Sequence, residues 1–180
     1  MKVEKCFISD LLMITLDVYE DERGCFYESY NKEKFISIGI SDEFLQDNQS
    51  ISKRNVLRGL HFQIPPFAQG KLVRVIKGAV LDVAVDLRKQ SPTYKKHLSL
   101  ILSAENKKLF WIPAGFAHGF ITLEEDTVFS YKCTQQYHQQ SERSLLWCDP
   151  EFNIDWQTTN PILSQKDIES PLFKDFSSPF

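Results

Sequence analysis

Imidazole, phenol, ammonium and carboxylate groups, from which general acid–base chemistry is built, fall inside short strand-like segments of this chain. His61 lies in Val56-Leu57-Arg58-Gly59-Leu60-His61-Phe62-Gln63, just after the polar cluster Gln46-Asp47-Asn48-Gln49-Ser50. Lys71 lies in Gln69-Gly70-Lys71-Leu72-Val73-Arg74, His118 in Pro113-Ala114-Gly115-Phe116-Ala117-His118-Gly119-Phe120, and Tyr131 in Thr127-Val128-Phe129-Ser130-Tyr131-Lys132-Cys133. An imidazole exchanges protons near neutral pH and a phenol can donate one. An ammonium fixed in a water-poor pocket stabilises developing negative charge.

Each of these residues also has a plain structural reading. A histidine in an apolar strand is ordinarily a satisfied core residue, a lysine opening a strand is ordinarily solvated, and a strand tyrosine is ordinarily core with its hydroxyl bonded. In a regular strand His61 shares a face with Leu57, Gly59 and Gln63, and Arg58 points the other way. A bulge at Gly59 would turn Arg58 toward the same cavity. Phe116, His118 and Phe120 share a face, as suits a packed core or a ligand pocket. Asp167 closes Ser164-Gln165-Lys166-Asp167 and reads as a helix-capping residue, while Glu142 and Lys166 read as surface charges. His97 and His138 sit in more polar stretches and read as solvated.

Other chemistries lack their signatures. The H-x-H pair of metal-dependent β-barrel oxygenases is missing, because Gln63 follows His61 and Phe120 follows His118 at the same-face position; no metal site is expected. There is no G-x-G-x-x-G and no G-x-x-x-x-G-K-[ST], which disfavours a dinucleotide cofactor or ATP-driven chemistry. Cys6, Cys25, Cys133 and Cys148 form neither a C-x-x-C pair nor zinc-finger spacing and read as reduced thiols.

The elements that must position these groups are mostly strands. Leu81, Val83, Val85 and Leu87 alternate with positions that include Asp82 and Asp86, the period of a half-buried strand, and Leu98, Leu100 and Leu102 repeat it. Residues 71–76, 108–112, 115–123 and 127–133 read as further strands, with turns at Lys77-Gly78, Ser91-Pro92 and Pro113-Ala114-Gly115. The pattern predicts an all-β sandwich, jelly roll or barrel. Helix is confined to a segment capped by Asn31 and running to about Ile38, and to one opening at Ser164.

Length and charge set the outer bounds. A chain of 180 residues with no linker or repeat is expected to form one domain. With 21 Lys+Arg interspersed among 24 Asp+Glu it carries no polybasic footprint for nucleic acid or an anionic membrane. No apolar run approaches the ~18 residues of a membrane span. The opening Met1-Lys2-Val3-Glu4-Lys5 does not read as a secretory leader, so a cytoplasmic location is expected.

Taken together, Gln46-Asp47-Asn48 and the segments around His61, Lys71 and His118 resemble the dTDP-4-dehydrorhamnose 3,5-epimerase family. Asp21-Glu22-Arg23-Gly24 with Phe26 and Glu28, Tyr131-Lys132-Cys133-Thr134 with Tyr137 and Glu142, and Leu163-Ser164-Gln165-Lys166-Asp167 keep that family's order and spacing. The resemblance spans roughly residues 1–172 and leaves the proton-transfer set intact.

The resemblance implies a cupin-like jelly roll with a few short helices, free of metal and cofactor, forming a homodimer by exchange of N-terminal strands. It implies epimerisation of dTDP-4-keto-6-deoxy-D-glucose at C3 and C5 in dTDP-L-rhamnose synthesis. His61 would be the base, Asp167 would orient its imidazolium, Tyr131 would return a proton from the opposite face, and Lys71 would hold the enolate. Arg23, Glu28, Gln46, Asn48, Arg58, His118, Glu142 and Lys166 would bind the nucleotide sugar, with Tyr137 stacked on thymine. A C3-only epimerase is the nearest alternative. A metal-dependent cupin oxygenase and a non-catalytic nucleotide-sugar-binding module are the others.

Overall fold

Alternating side chains make strands, and the strands here pair almost entirely antiparallel. A computed structural model describes residues 1–180. The strands are β1 (Lys2–Lys5), β2 (Leu12–Thr15), β3 (Tyr19–Asp21), β4 (Gly24–Phe26), β5 (Gln46–Ser52), β6 (Leu57–Gln63), β7 (Lys71–Lys77), β8 (Ala79–Asp86), β9 (His97–Ser103), β10 (Lys108–Ile112), β11 (Phe116–Thr122), β12 (Thr127–Cys133) and β13 (Glu142–Ser144). One sheet has the order β1-β2-β10-β7-β12-β5, the facing sheet β13-β6-β11-β8-β9, and β3-β4 is a separate hairpin. This is the cupin-like β-sandwich, with the expected strands at 108–112 and 127–133 in place and the others shifted by a residue or so.

Two short helices complete the fold. Asn31 caps α1 (Lys32–Ser37) by accepting from the Lys34 N–H, and Ser164 caps α2 (Gln165–Ile168) by accepting from the Asp167 N–H, as the capping patterns predict.

Three apolar layers hold the sandwich. Val73, Val75, Val80, Ala84, Phe110, Phe116, Phe120 and Phe129 fill the space between the sheets. Leu57, Leu60, Phe62, Leu81, Val83 and Val85 form the outer face of the five-stranded sheet, covered by Phe152, Trp156 and Phe173 of the C-terminal segment. Phe35 and Ile40 cover Leu72, Leu109 and Trp111 on the other sheet. Each large side chain buried in this way contributes about 1.5–3 kcal/mol.

The covering segment corrects one reading of the sequence. All eight residues of β8 are buried, so it is not a half-solvated strand. Its apolar odd positions meet the C-terminal segment, while Asp82 and Asp86 point into the protein and must find partners there. Asp86 accepts from Arg88, Ser91 and Thr93; Asp82 faces His118.

Candidate active site

His61 owes its position to an irregularity in β6. In the pairing of β6 with β11, His61 lies opposite His118 but Arg58 lies opposite Phe120, so three steps along one strand match two along the other. The extra residue reverses the alternation. Leu57 joins Leu60 and Phe62 on the outer face, whereas Arg58, itself exposed, and His61 both line the cavity on the other side. The regular-strand expectation that His61 shares a face with Leu57 is therefore overturned, and the bulge at Gly59 is present. Glycine is required there: φ is +132°, and an added Cβ would lie 2.4 Å from Gly119 Cα and 2.9 Å from the His118 carbonyl oxygen.

Asp167 meets His61 from the far end of the chain. Its Oδ1 lies 2.6 Å from His61 Nε2, and its Oδ2 accepts the Ser164 hydroxyl at 2.6 Å. The helix cap and the imidazole partner are thus the same residue. Burial alone would raise this carboxyl, but the hydrogen bonds from His61 and Ser164 outweigh it and hold the pKa below the ordinary value. A carboxylate accepts only, so it fixes the proton of neutral His61 on Nε2 and leaves the Nδ1 lone pair free to act as a base.

Lys71 and Tyr131 come from β7 and β12 of the opposite sheet. The Lys71 ammonium donates only to the His61 carbonyl at 3.5 Å and has no carboxylate in ion-pairing range; burial pushes its pKa down. Burial likewise raises the Tyr131 phenol, which therefore keeps its proton at neutral pH. Tyr131 shares its strand face with Phe129.

His118 forms a second imidazole–carboxylate pair. Its Nε2 lies 3.0 Å from both oxygens of Asp82, which is fully buried. Burial lowers the His118 pKa against the pull of Asp82. The sequence marks Asp82 only as an alternating position of a half-buried strand; its role as the partner of His118 follows from the burial of both faces of β8.

Two adjoining lobes of about 390 and about 340 Å³ share Asn48, His61, Lys71 and Tyr131 at their junction. The first extends to Gln46, Tyr137 and Glu142, and the second to Arg58, His118 and Asp167. At the mouth, Tyr137 donates to Glu142 at 2.9 Å, and Lys166 pairs with Glu142 at 2.5 Å, so these charges form one cluster rather than separate surface groups. Burial opposes ionisation of Glu142, but bonds from Lys166 and Tyr137 keep its pKa low. Gln46 donates to Asn48 at 2.9 Å, and the Arg58 guanidinium bonds Ser52 Oγ at 3.2 Å.

Some expected residues lie elsewhere. Arg23 sits on the β3–β4 hairpin, paired with Asp21, and Glu28 pairs with Lys34 at 2.8 Å; neither lines the two lobes. His138 is not simply solvated but stacks on Phe67 with centroids 3.8 Å apart, and His97 is half-buried. No group of three His, Cys, Asp or Glu side chains is arranged to hold a metal ion, and no helix is long and apolar enough to cross a membrane.

Comparison with known proteins joins this geometry to one family. Residues 5–175 match the family model for dTDP-4-dehydrorhamnose 3,5-epimerase. A dTDP-4-dehydrorhamnose 3,5-epimerase of Shigella flexneri is 51% identical, with 97% of each chain covered. The crystal structure of such an enzyme from Elizabethkingia anophelis is 49% identical, with a TM-score of 0.93 over 97% of both chains. A Legionella pneumophila dTDP-6-deoxy-D-glucose-3,5-epimerase, solved in complex with dTDP-4-keto-L-rhamnose, is 47% identical, with a TM-score of 0.92 over 96% of this chain and 93% of that one. This chain belongs to the dTDP-4-dehydrorhamnose 3,5-epimerase family of isomerases.

Proposed function

We propose that the protein epimerises dTDP-4-keto-6-deoxy-D-glucose at C3 and C5, giving dTDP-4-keto-L-rhamnose for dTDP-L-rhamnose synthesis. The observation that carries this reading is the placement of His61 and Tyr131 on facing sheets of one cavity, with an unpaired Lys71 beside them. Inversion at carbon needs a base on one face of the sugar and an acid on the other.

The C4 ketone acidifies the hydrogens on C3 and C5. His61 Nδ1 takes one of these protons; the C–H electron pair forms a carbon–carbon double bond to C4 and leaves the negative charge on the C4 oxygen. The Lys71 ammonium stabilises that enolate, and the low-dielectric site strengthens the attraction. Asp167 holds the resulting imidazolium. Tyr131 then protonates the carbon from the opposite face, the double bond returns to the carbonyl, and exchange with solvent resets both residues. No electrons leave the substrate, so no redox cofactor enters the balance.

Arg58, His118, Gln46, Asn48, Glu142 and Lys166 would hold the nucleotide sugar, with Arg58 and Lys166 suited by charge to the diphosphate. Tyr137, half exposed at the mouth, would stack on thymine. The protein would act in the cytoplasm as a homodimer of single-domain chains. Support for strand exchange lies in the β3–β4 hairpin: it pairs with neither sheet and exposes 67% of Tyr19 and 71% of Phe26. Carried onto a second copy, the hairpin would bring Arg23 to the partner's cavity, with Glu28 nearby.

NMR of dTDP-4-keto-6-deoxy-D-glucose in D₂O tests the reaction. Deuterium at both C3 and C5, with the L-sugar trapped by a reductase, is expected. Label at C3 alone identifies the single epimerase, and dTDP binding without any label identifies a binding module.

A further inference from the structure

Gln63 is almost wholly buried, with 3% of its surface exposed, yet it takes part in no proton transfer. Its side-chain amide is fully engaged. Nε2 donates to the Phe67 carbonyl at 2.6 Å and to the Gln136 carbonyl at 3.2 Å, and Oε1 accepts from the His138 N–H at 2.8 Å. The carbonyl of the residue before Tyr137 and the N–H of the residue after it are therefore held by the same amide. The neighbourhood is built to the same end: Gln46 Oε1 accepts from the Tyr137 N–H at 2.8 Å, Gln69 donates to the Gln135 carbonyl at 2.6 Å, and His138 stacks on Phe67.

Exposed loops ordinarily move, and an exposed aromatic ring presents a defined face only if its backbone is fixed. We propose that Gln63 is a positioning residue for Tyr137, fixing the pose of the ring against which the nucleobase of a thymidine diphosphate sugar rests. This rests on the nucleotide-sugar reading above. Because Gln63 lies two residues after His61 on the same strand, β6 would set the base and the nucleobase platform at a fixed separation. Ordering the loop before the ligand arrives removes part of the entropy cost of binding, so the role belongs to affinity rather than to proton transfer.

Gln63→Glu tests this with almost no change of shape. Glutamate keeps an acceptor for the His138 N–H but replaces the donor with a second oxygen facing two carbonyls. Gln63→Met, of similar length and without polar atoms, is the second variant should Gln63→Glu fold poorly. Calorimetric titration with dTDP is run on each, in the wild-type and in the Tyr137→Ala background, beside kcat and KM. Expected is a roughly tenfold loss of dTDP affinity and a matching rise in KM, with kcat within about threefold. In the Tyr137→Ala background the same changes should alter affinity by less than about twofold, because the group they position is gone. Unchanged dTDP affinity in both variants, or an equal loss with and without Tyr137, overturns the assignment. Wild-type protein that does not bind dTDP overturns the nucleotide-sugar reading and this assignment with it.

Discussion

Asp167 divides its two oxygens between a helix and an imidazole: Oδ2 accepts from Ser164, the residue that caps α2, and Oδ1 lies 2.6 Å from His61 Nε2. The cap thereby aims the carboxylate. Asp167→Asn removes the charge and the fixed tautomer together, so kcat for C3 and C5 exchange should fall by about 10²–10⁴-fold with dTDP affinity retained. Ser164→Ala should cost about 1 kcal/mol of stability and a smaller part of the rate. A normal exchange rate in Asp167→Asn protein would remove the residue from the chemistry.

The same pair sets an acid limit. The folded pKa of Asp167 lies below its unfolded value, so its contribution to stability is complete above the ordinary carboxylate value of about 3.9 and is lost as pH falls through the lower folded one. Urea unfolding of wild type and Asp167→Asn, compared from neutral pH downward, should show the gap between them closing only below that value.

Lys71 carries the opposite sign. Burial depresses its pKa by more than the charges of Cys133, Asp82 and Glu142 raise it, so the folded state binds its proton less tightly than the unfolded state does. Stability therefore rises with pH between the depressed folded value and the ordinary lysine value of about 10.4, while activity should fall as the proposed enolate loses its cation. Lys71→Met should raise the unfolding free energy by about 0.5–2 kcal/mol and abolish exchange. A destabilised Lys71→Met protein would mean the ammonium is well solvated.

How far the sequence revealed this molecule depended on where side chains face. β10 and β12 were legible because their apolar positions meet a core. β5 was not, because its inward residues Gln46, Asn48 and Ser50 face a polar cavity and leave no apolar alternation to read. β8 was legible as a strand but misjudged in burial, since a C-terminal segment some 70 residues away in sequence covers its outer face. The site divides in the same way. His61 and Asp167 are each visible in local motifs, but 106 residues separate them and only the fold supplies the 2.6 Å contact.

Gly59 makes the reversal in β6 possible. Gly59→Ala would force a Cβ to 2.4 Å from Gly119 Cα at a φ of +132°, and backbone cannot yield as a side-chain end can. The expected loss is at least about 3 kcal/mol, with exchange activity lost as Arg58 and His61 part. Gly119→Ala, whose nearest contacts are 3.0–3.3 Å, should cost about 1–3 kcal/mol. Equal midpoints for the two variants in thermal unfolding would show that the close approach does not constrain the strand.

The proposed exchange of the β3–β4 hairpin between subunits predicts a quantitative outcome. In a homodimer with exchanged hairpins, each site combines His61 of one chain with Arg23 of the other. Arg23→Ala and His61→Ala chains should each be inactive alone, the first for want of the proposed anion contact and the second for want of the proposed base. Unfolded together at equal concentration and refolded, half the dimers are mixed, and each mixed dimer has one site with both residues intact. Activity should therefore return to about one quarter of the wild-type value per site. If Arg23 served its own chain's cavity, every site would lack one residue and no activity would return on mixing.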